Sequence, residues 1–248
     1  MKIIMNKKYW ALLLLVAMSF IVPKPKITVW MIGDSTMANK LEKAFPETGW
    51  GMEFGHFFDQ SVTIDNCALN GRSTKSFINE KRWDPILDNL KEGDYVFIEF
   101  GHNDEKIDKP GVGTTIPEFK ANLVKFVLET REKKGIPVLL TPITRRSFKN
   151  GVLTDTHGKY AETTIFVADS LKVPLIDMLE KSKKYVSGLG DETSKQLYNY
   201  VDSGNVNYPN GKKDDTHFSP AGAKKMAGLA VEGIKELKLG LAERLLKG

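Results

Sequence analysis

The sequence predicts an α/β fold, a parallel β-sheet covered on both faces by helices. Three observations lead there. Five short apolar, β-rich runs occur at 27–32, 62–68, 95–100, 138–141 and 173–176. Helix-like stretches separate them. Hydrogen-bonding residues follow four of the runs, and open α/β sheets hold their ligands beyond the carboxyl ends of the strands. A chain of 248 residues suits one such domain. No internal repeat or low-complexity linker divides it.

A different kind of segment precedes the first run. Lys2, Lys7 and Lys8 stand before an apolar block from Trp10 to Val22, and no acid occurs before Asp34. A positive n-region and a short h-region predict a secretory signal peptide over 1–22, cleaved near 19–22. One domain, 23–248, remains. The apolar block is short of the roughly 20 residues a membrane span needs; an uncleaved anchor is the alternative. Cleavage removes three lysines and no acid, so the formal charge falls from +5 to +2. No long basic run remains to suggest a nucleic-acid partner, and no membrane partner is expected apart from export. Cys67 is alone, which excludes an intrachain disulfide and a CxxC site. Export without disulfides suits a secreted or periplasmic protein. A monomer is expected.

The runs have the length of strands buried on both faces. The first ends at Gly33 and is followed by "GDST". A helical stretch at 54–60 leads to the second, which is followed by "LNGRST". The third is followed by "GHND". A helix at 116–134 repeats Phe119, Leu123, Phe126 and Val127 at helical spacing. The fourth run leads into "TPITRR", a helix at 160–171 and the fifth run. The last helix follows "FSPAG". Ser219 can cap it and Pro220 suits its first turn. Ala223, Met226, Ala227, Ala230, Ile234 and Leu237 form its apolar stripe.

The polar segments contain the parts that acyl transfer needs: nucleophile, base, orienting acid and oxyanion donors. Ser35 ends the first strand as nucleophile candidate. Asp214 and His217, three apart in "KDDTHFSP", can pair so that the acid fixes one ring nitrogen while the other faces outward. Asp215 is the rival acid. Gly71 can offer a backbone N–H, Asn103 a side-chain amide, and Ser35 its own N–H, to a developing oxyanion. Asp34 bonds loop amides beside the nucleophile. There is no G-x-S-x-G elbow and no glycine-rich phosphate loop.

"GDST", the glycine of "NGRST", "GHND" and "DDTH" together resemble the four signature blocks of the SGNH, or GDSL-type, hydrolases. The wider wording, "GDSTMA", "GWG", "GHNDEK", "TPITRRSF" and "DDTHFSPAGAKKMA", is similar to that of rhamnogalacturonan acetylesterases. The resemblance runs from about Lys26 to the last helix. It implies a flavodoxin-like three-layer α/β/α sandwich. It implies Ser35 as nucleophile, His217 as base, Asp214 as its partner, and an oxyanion hole of Ser35, Gly71 and Asn103. The implied reaction removes acetyl groups from a pectic polysaccharide, with no metal or organic cofactor. Another esterase of the same broad family (acetylxylan esterase, lipase or lysophospholipase) and a non-catalytic carbohydrate-binding relative are the alternatives.

Arg145 and Arg146 follow the fourth strand and can hold a substrate carboxylate in paired hydrogen bonds; bracing a loop is the competing role. His102 is a candidate for substrate contact or for packing the loop. His56 reads as a helix residue. His157 lacks the neighbours of a metal site. Trp30 falls within a strand, whereas Trp50 and Trp83 flank loops and are open to stacking on sugars.

Overall fold

The computed structural model describes residues 24–247, so the expected signal peptide lies outside the described residues. All five apolar runs are strands: β1 (Ile27–Gly33), β2 (Val62–Asn66), β3 (Tyr95–Glu99), β4 (Ile136–Leu140) and, after a short hairpin of β5 (Phe148–Lys149) and β6 (Val152–Leu153), β7 (Leu175–Ile176). The sheet order is β2-β1-β3-β4-β7, and every pairing in it is parallel. This is the flavodoxin-like order. Its switch point lies between β1 and β3, from which the chain leaves toward opposite edges. The register sets Gly33 opposite Glu99. The two strands therefore end level, and the loops carrying Ser35 and Asn103 emerge side by side.

Alternation along the strands divides the apolar side chains between two cores. Val29, Met31, Phe97, Val138, Leu140 and Ile176 face one layer. It contains α1 (Trp50–Phe54), α6 (Met178–Ser194, interrupted at Gly190) and α7 (Pro220–Glu236). Ile32, Val96, Ile98 and Leu139 face the other. That layer is α2 (Thr74–Asn79), α3 (Asp84–Asn89), α4 (Ile116–Glu132) and α5 (Lys159–Leu171). The three-layer sandwich is thus present.

Several boundaries differ from the sequence reading. The helix expected at 54–60 begins at Trp50, and its end tightens into a 3₁₀ turn, Gly55–Phe57. β2 stops at Asn66 because that side chain turns to the Met37 carbonyl and to Asn39. α2, α3, α6 and the β5–β6 hairpin are additional. α2 starts in a capping box in which the Ser73 and Ser76 hydroxyls each accept from the other's backbone N–H.

Candidate active site

The turn after β1 is built around Asp34. Its carbonyl accepts from the Met37 and Ala38 N–H groups at 3.3 and 3.0 Å. Its carboxylate accepts from the Thr36 N–H and hydroxyl at 3.0 and 2.9 Å. That turn aims Ser35 outward. The loop before α7 brings His217 to it, with Nε2 2.8 Å from Ser35 Oγ. His217 Nδ1 lies 2.9 Å from Asp214 Oδ2, and Asp214 Oδ1 accepts from the Thr216 and His217 N–H groups, each at 2.9 Å. Burial of Asp214 opposes its charge. The hydrogen bonds from His217 and the backbone outweigh this and hold the carboxyl well below the usual carboxylate range. Residues 182 apart in sequence thus form one hydrogen-bonded row.

Asp215 has a different task. Its carboxylate accepts from Arg146 and the Tyr200 hydroxyl, both at 2.7 Å.

The two other oxyanion candidates lie on the neighbouring loops. Gly71 has φ +78°, and a side chain there would meet no atom of the described residues within 4 Å. Backbone conformation, not crowding within the protein, therefore favours glycine. The Leu69 N–H on the Gly33 carbonyl, 3.1 Å, ties this loop to β1. Asn103 is buried. Its amide nitrogen donates to the Arg72 carbonyl at 3.1 Å, and the Lys106 ammonium donates to its amide oxygen at 2.6 Å. An ammonium can only donate, so Lys106 fixes which way the amide faces. Among the described residues, the other Asn103 N–H has no partner.

Beneath the Ser35 turn lies a buried polar cluster. Thr36 Oγ1 is 2.9 Å from Asp34 Oδ1 and 3.1 Å from Glu99 Oε1. The other Glu99 oxygen accepts from the Trp50 indole at 2.6 Å. A hydroxyl has one proton to give. Both contacts are hydrogen bonds only if one carboxyl is protonated, and Glu99 is the one. Its complete burial and the Asp34 charge push its pKa up to about 8. His102 faces Asp34 at 3.3 Å and packs edge-on against His157, and burial pushes its pKa down to about 4.

The remaining sequence candidates are accounted for within the protein. Arg145 donates to Glu105, Thr156 and the His102 carbonyl. Arg146 is buried and bonded to Asp191, Tyr200 and Asp215. The bracing role weighed for one arginine is thus occupied by both. Trp50 and Trp83 are buried, with indole N–H groups on Glu99 and Glu129, so neither is available to stack on a sugar. His157 is a buried loop residue on the Ile143 carbonyl and Glu105. His56 is exposed beside Glu53.

Comparison with known proteins bears on this arrangement. Residues 31–225 match the model of the GDSL-like Lipase/Acylhydrolase family. The chain belongs to that family. It is a carboxylic ester hydrolase. The hydrolase is 39% identical over 225 residues to the rhamnogalacturonan acetylesterase RhgT of Bacillus subtilis (strain 168), covering 90% of this chain and 96% of that one. It is 28% identical to a rhamnogalacturonan acetylesterase of Emericella nidulans, with 84% of each chain covered. Among solved structures it is similar to protein YxiM of Bacillus subtilis, at TM-score 0.76 and 26% identity. That match covers 87% of this chain but 58% of the longer one. The acetylxylan esterase Axe2 of Geobacillus stearothermophilus shares the fold at TM-score 0.62 and 17% identity, over 88% of this chain and 96% of that one.

Proposed function

We propose that this hydrolase is an exported serine esterase that removes acetyl groups from pectic polysaccharide, with acetylated rhamnogalacturonan as substrate. The observation that carries the mechanism is the row Ser35–His217–Asp214, bonded at 2.8 and 2.9 Å at the carboxyl edge of the sheet. Similarity to named rhamnogalacturonan acetylesterases over nine-tenths of the chain supports the substrate, and the lysines before an apolar block support export.

In this reading His217 Nε2 takes the proton from Ser35 Oγ as the oxygen attacks the acetyl carbonyl. The carbonyl oxygen gains the charge and is met by the N–H groups of Ser35 and Gly71 and the free N–H of Asn103. His217 returns its proton to the departing sugar oxygen. Water, deprotonated by the same ring, then releases acetate and restores Ser35. Asp214 holds the ring in the required tautomer and stabilises the imidazolium.

The test is acetate release from acetylated rhamnogalacturonan, acetylated xylan and a long-chain ester. Release from the pectic substrate is expected, lost by a factor on the order of 10⁴ or more in Ser35→Ala. Serine-dependent release confined to xylan or the long ester overturns the substrate. Full activity in Ser35→Ala overturns the mechanism.

A further inference from the structure

The row of three residues is part of a larger closed ring. Asp214 Oδ2, which accepts from His217, also lies 3.1 Å from the Lys212 ammonium. Lys212 reaches Glu47 Oε2 at 3.2 Å, and Glu47 Oε1 lies 2.8 Å from the Lys40 ammonium. Lys40 returns to the nucleophile, donating to the Ser35 carbonyl at 2.5 Å and to Asn70, next to Gly71, at 2.8 Å. The Lys40 side chain is wholly buried and that of Glu47 is 9% exposed.

A buried lysine such as Lys40 is costly unless paired, and a second, partly buried one on the same carboxylate needs a reason. The charges supply it. Asp214 and Glu47 are balanced by Lys212 and Lys40. Without an ammonium on Asp214, two carboxylates would face His217 against one cation. An anionic surround favours imidazolium. A base held as imidazolium cannot take the serine proton.

We propose that Lys212 is a positioning and tuning residue that keeps His217 neutral, and that Glu47 and Lys40 hold Lys212 in place and tie it to the nucleophile turn. The inference rests on the serine-esterase reading. Burial disfavours the Lys212 charge, but its bonds to Asp214 and Glu47 prevail and raise its pKa. Burial likewise opposes the Glu47 charge, and Lys40 outweighs it, leaving that carboxyl below its ordinary range. The charged groups around the ring are therefore Asp214, Lys212, Glu47 and Lys40. Burial pulls the Lys40 pKa below its ordinary value, against Glu47 and the Asp34 charge behind Ser35, and Asp215 is turned to Arg146.

The experiment is the titration of His217, followed by NMR in the full-length protein and matched to the acidic limb of kcat/KM. Lys212→Met is expected to raise both by about one pH unit, the effect of one lost charge at this range. Lys212→Arg should restore the wild-type limb. Lys212→Gln, which can still donate to Asp214 but carries no charge, should move both upward in the same way. An unchanged or lowered His217 titration in Lys212→Met overturns the proposal. If that variant does not fold, an unchanged or lowered titration in Lys212→Gln overturns it. Failure of the serine reading is separate: it would show as activity in Ser35→Ala, which the His217 titration does not measure.

Discussion

At the scale of single residues, two adjacent aspartates take different partners. Asp214 receives the imidazole and two backbone N–H groups. Asp215 receives Arg146 and Tyr200. Asp214→Asn is expected to lower kcat on the order of 10⁴-fold, because an amide leaves the ring in the wrong tautomer. Asp215→Asn should keep activity within about tenfold and lower Tm, since Arg146 retains Asp191. Steady-state rates and melting curves of both variants check the division. Activity lost equally in both would show that the pair acts as a unit. The pairing of Asp214 with His217 was legible because a D-x-x-H spacing lets a carboxylate fold back on its own histidine. The fates of Trp50 and Arg146 were not. Burial of an indole depends on which layer covers it, and the acids that take a guanidinium come from Asp191 and Asp215, far along the chain. Lys40, Glu47 and Lys212 were missed for the same reason. Each reads as a surface charge until the fold closes the ring.

At the scale of elements, the strands were legible because burial on both faces leaves uninterrupted apolar runs. α6 was not: Gly188 and Gly190 and a mixed polar sequence hide its period. α7 shows how an element serves the site. Ser219 Oγ accepts the Gly222 N–H at 3.1 Å, the cap expected from "FSPAG". Close packing does the rest. A Cβ at Gly222 would lie 1.8 Å from the Leu197 carbonyl oxygen. The same carbonyl accepts the Ser219 N–H, and the His217 carbonyl accepts the Asn199 N–H. Gly222→Ala should therefore push this segment away from the helix start, costing about 1–3 kcal/mol, and should disturb His217. Ala221 is exposed, and a helix-start Ala221→Gly should cost less than about 1 kcal/mol. Denaturant midpoints of the two variants give the comparison. A Gly222→Ala protein as stable as wild type would mean that the approach to Leu197 is loose.

At the scale of the whole molecule, the buried carboxyls set how stability varies with pH. Glu99 has an ordinary value of 4.5 and is pushed up to about 8 by burial and the Asp34 charge. Asp104, held by Thr74 and Thr114, is pushed up from 3.8 to about 7, mainly by burial. Between those limits the native state binds more protons than the unfolded chain, so stability falls as pH rises. Their contribution is complete below the ordinary values and is lost as pH passes through 7 and 8. Asp34 and Asp214 are depressed and work in the other direction. They contribute above about pH 4 and lose that contribution in acid. The protein should therefore be most stable in mildly acidic solution. Glu99→Gln isolates the largest of these effects. A glutamine amide can donate to Thr36 and its oxygen can accept from Trp50, as protonated Glu99 does. Urea unfolding from pH 5 to 9 should show the wild type losing stability with rising pH more steeply than the variant. Parallel curves would mean that Glu99 is ionised in the native state, and that the Thr36 proton is not shared as the distances require.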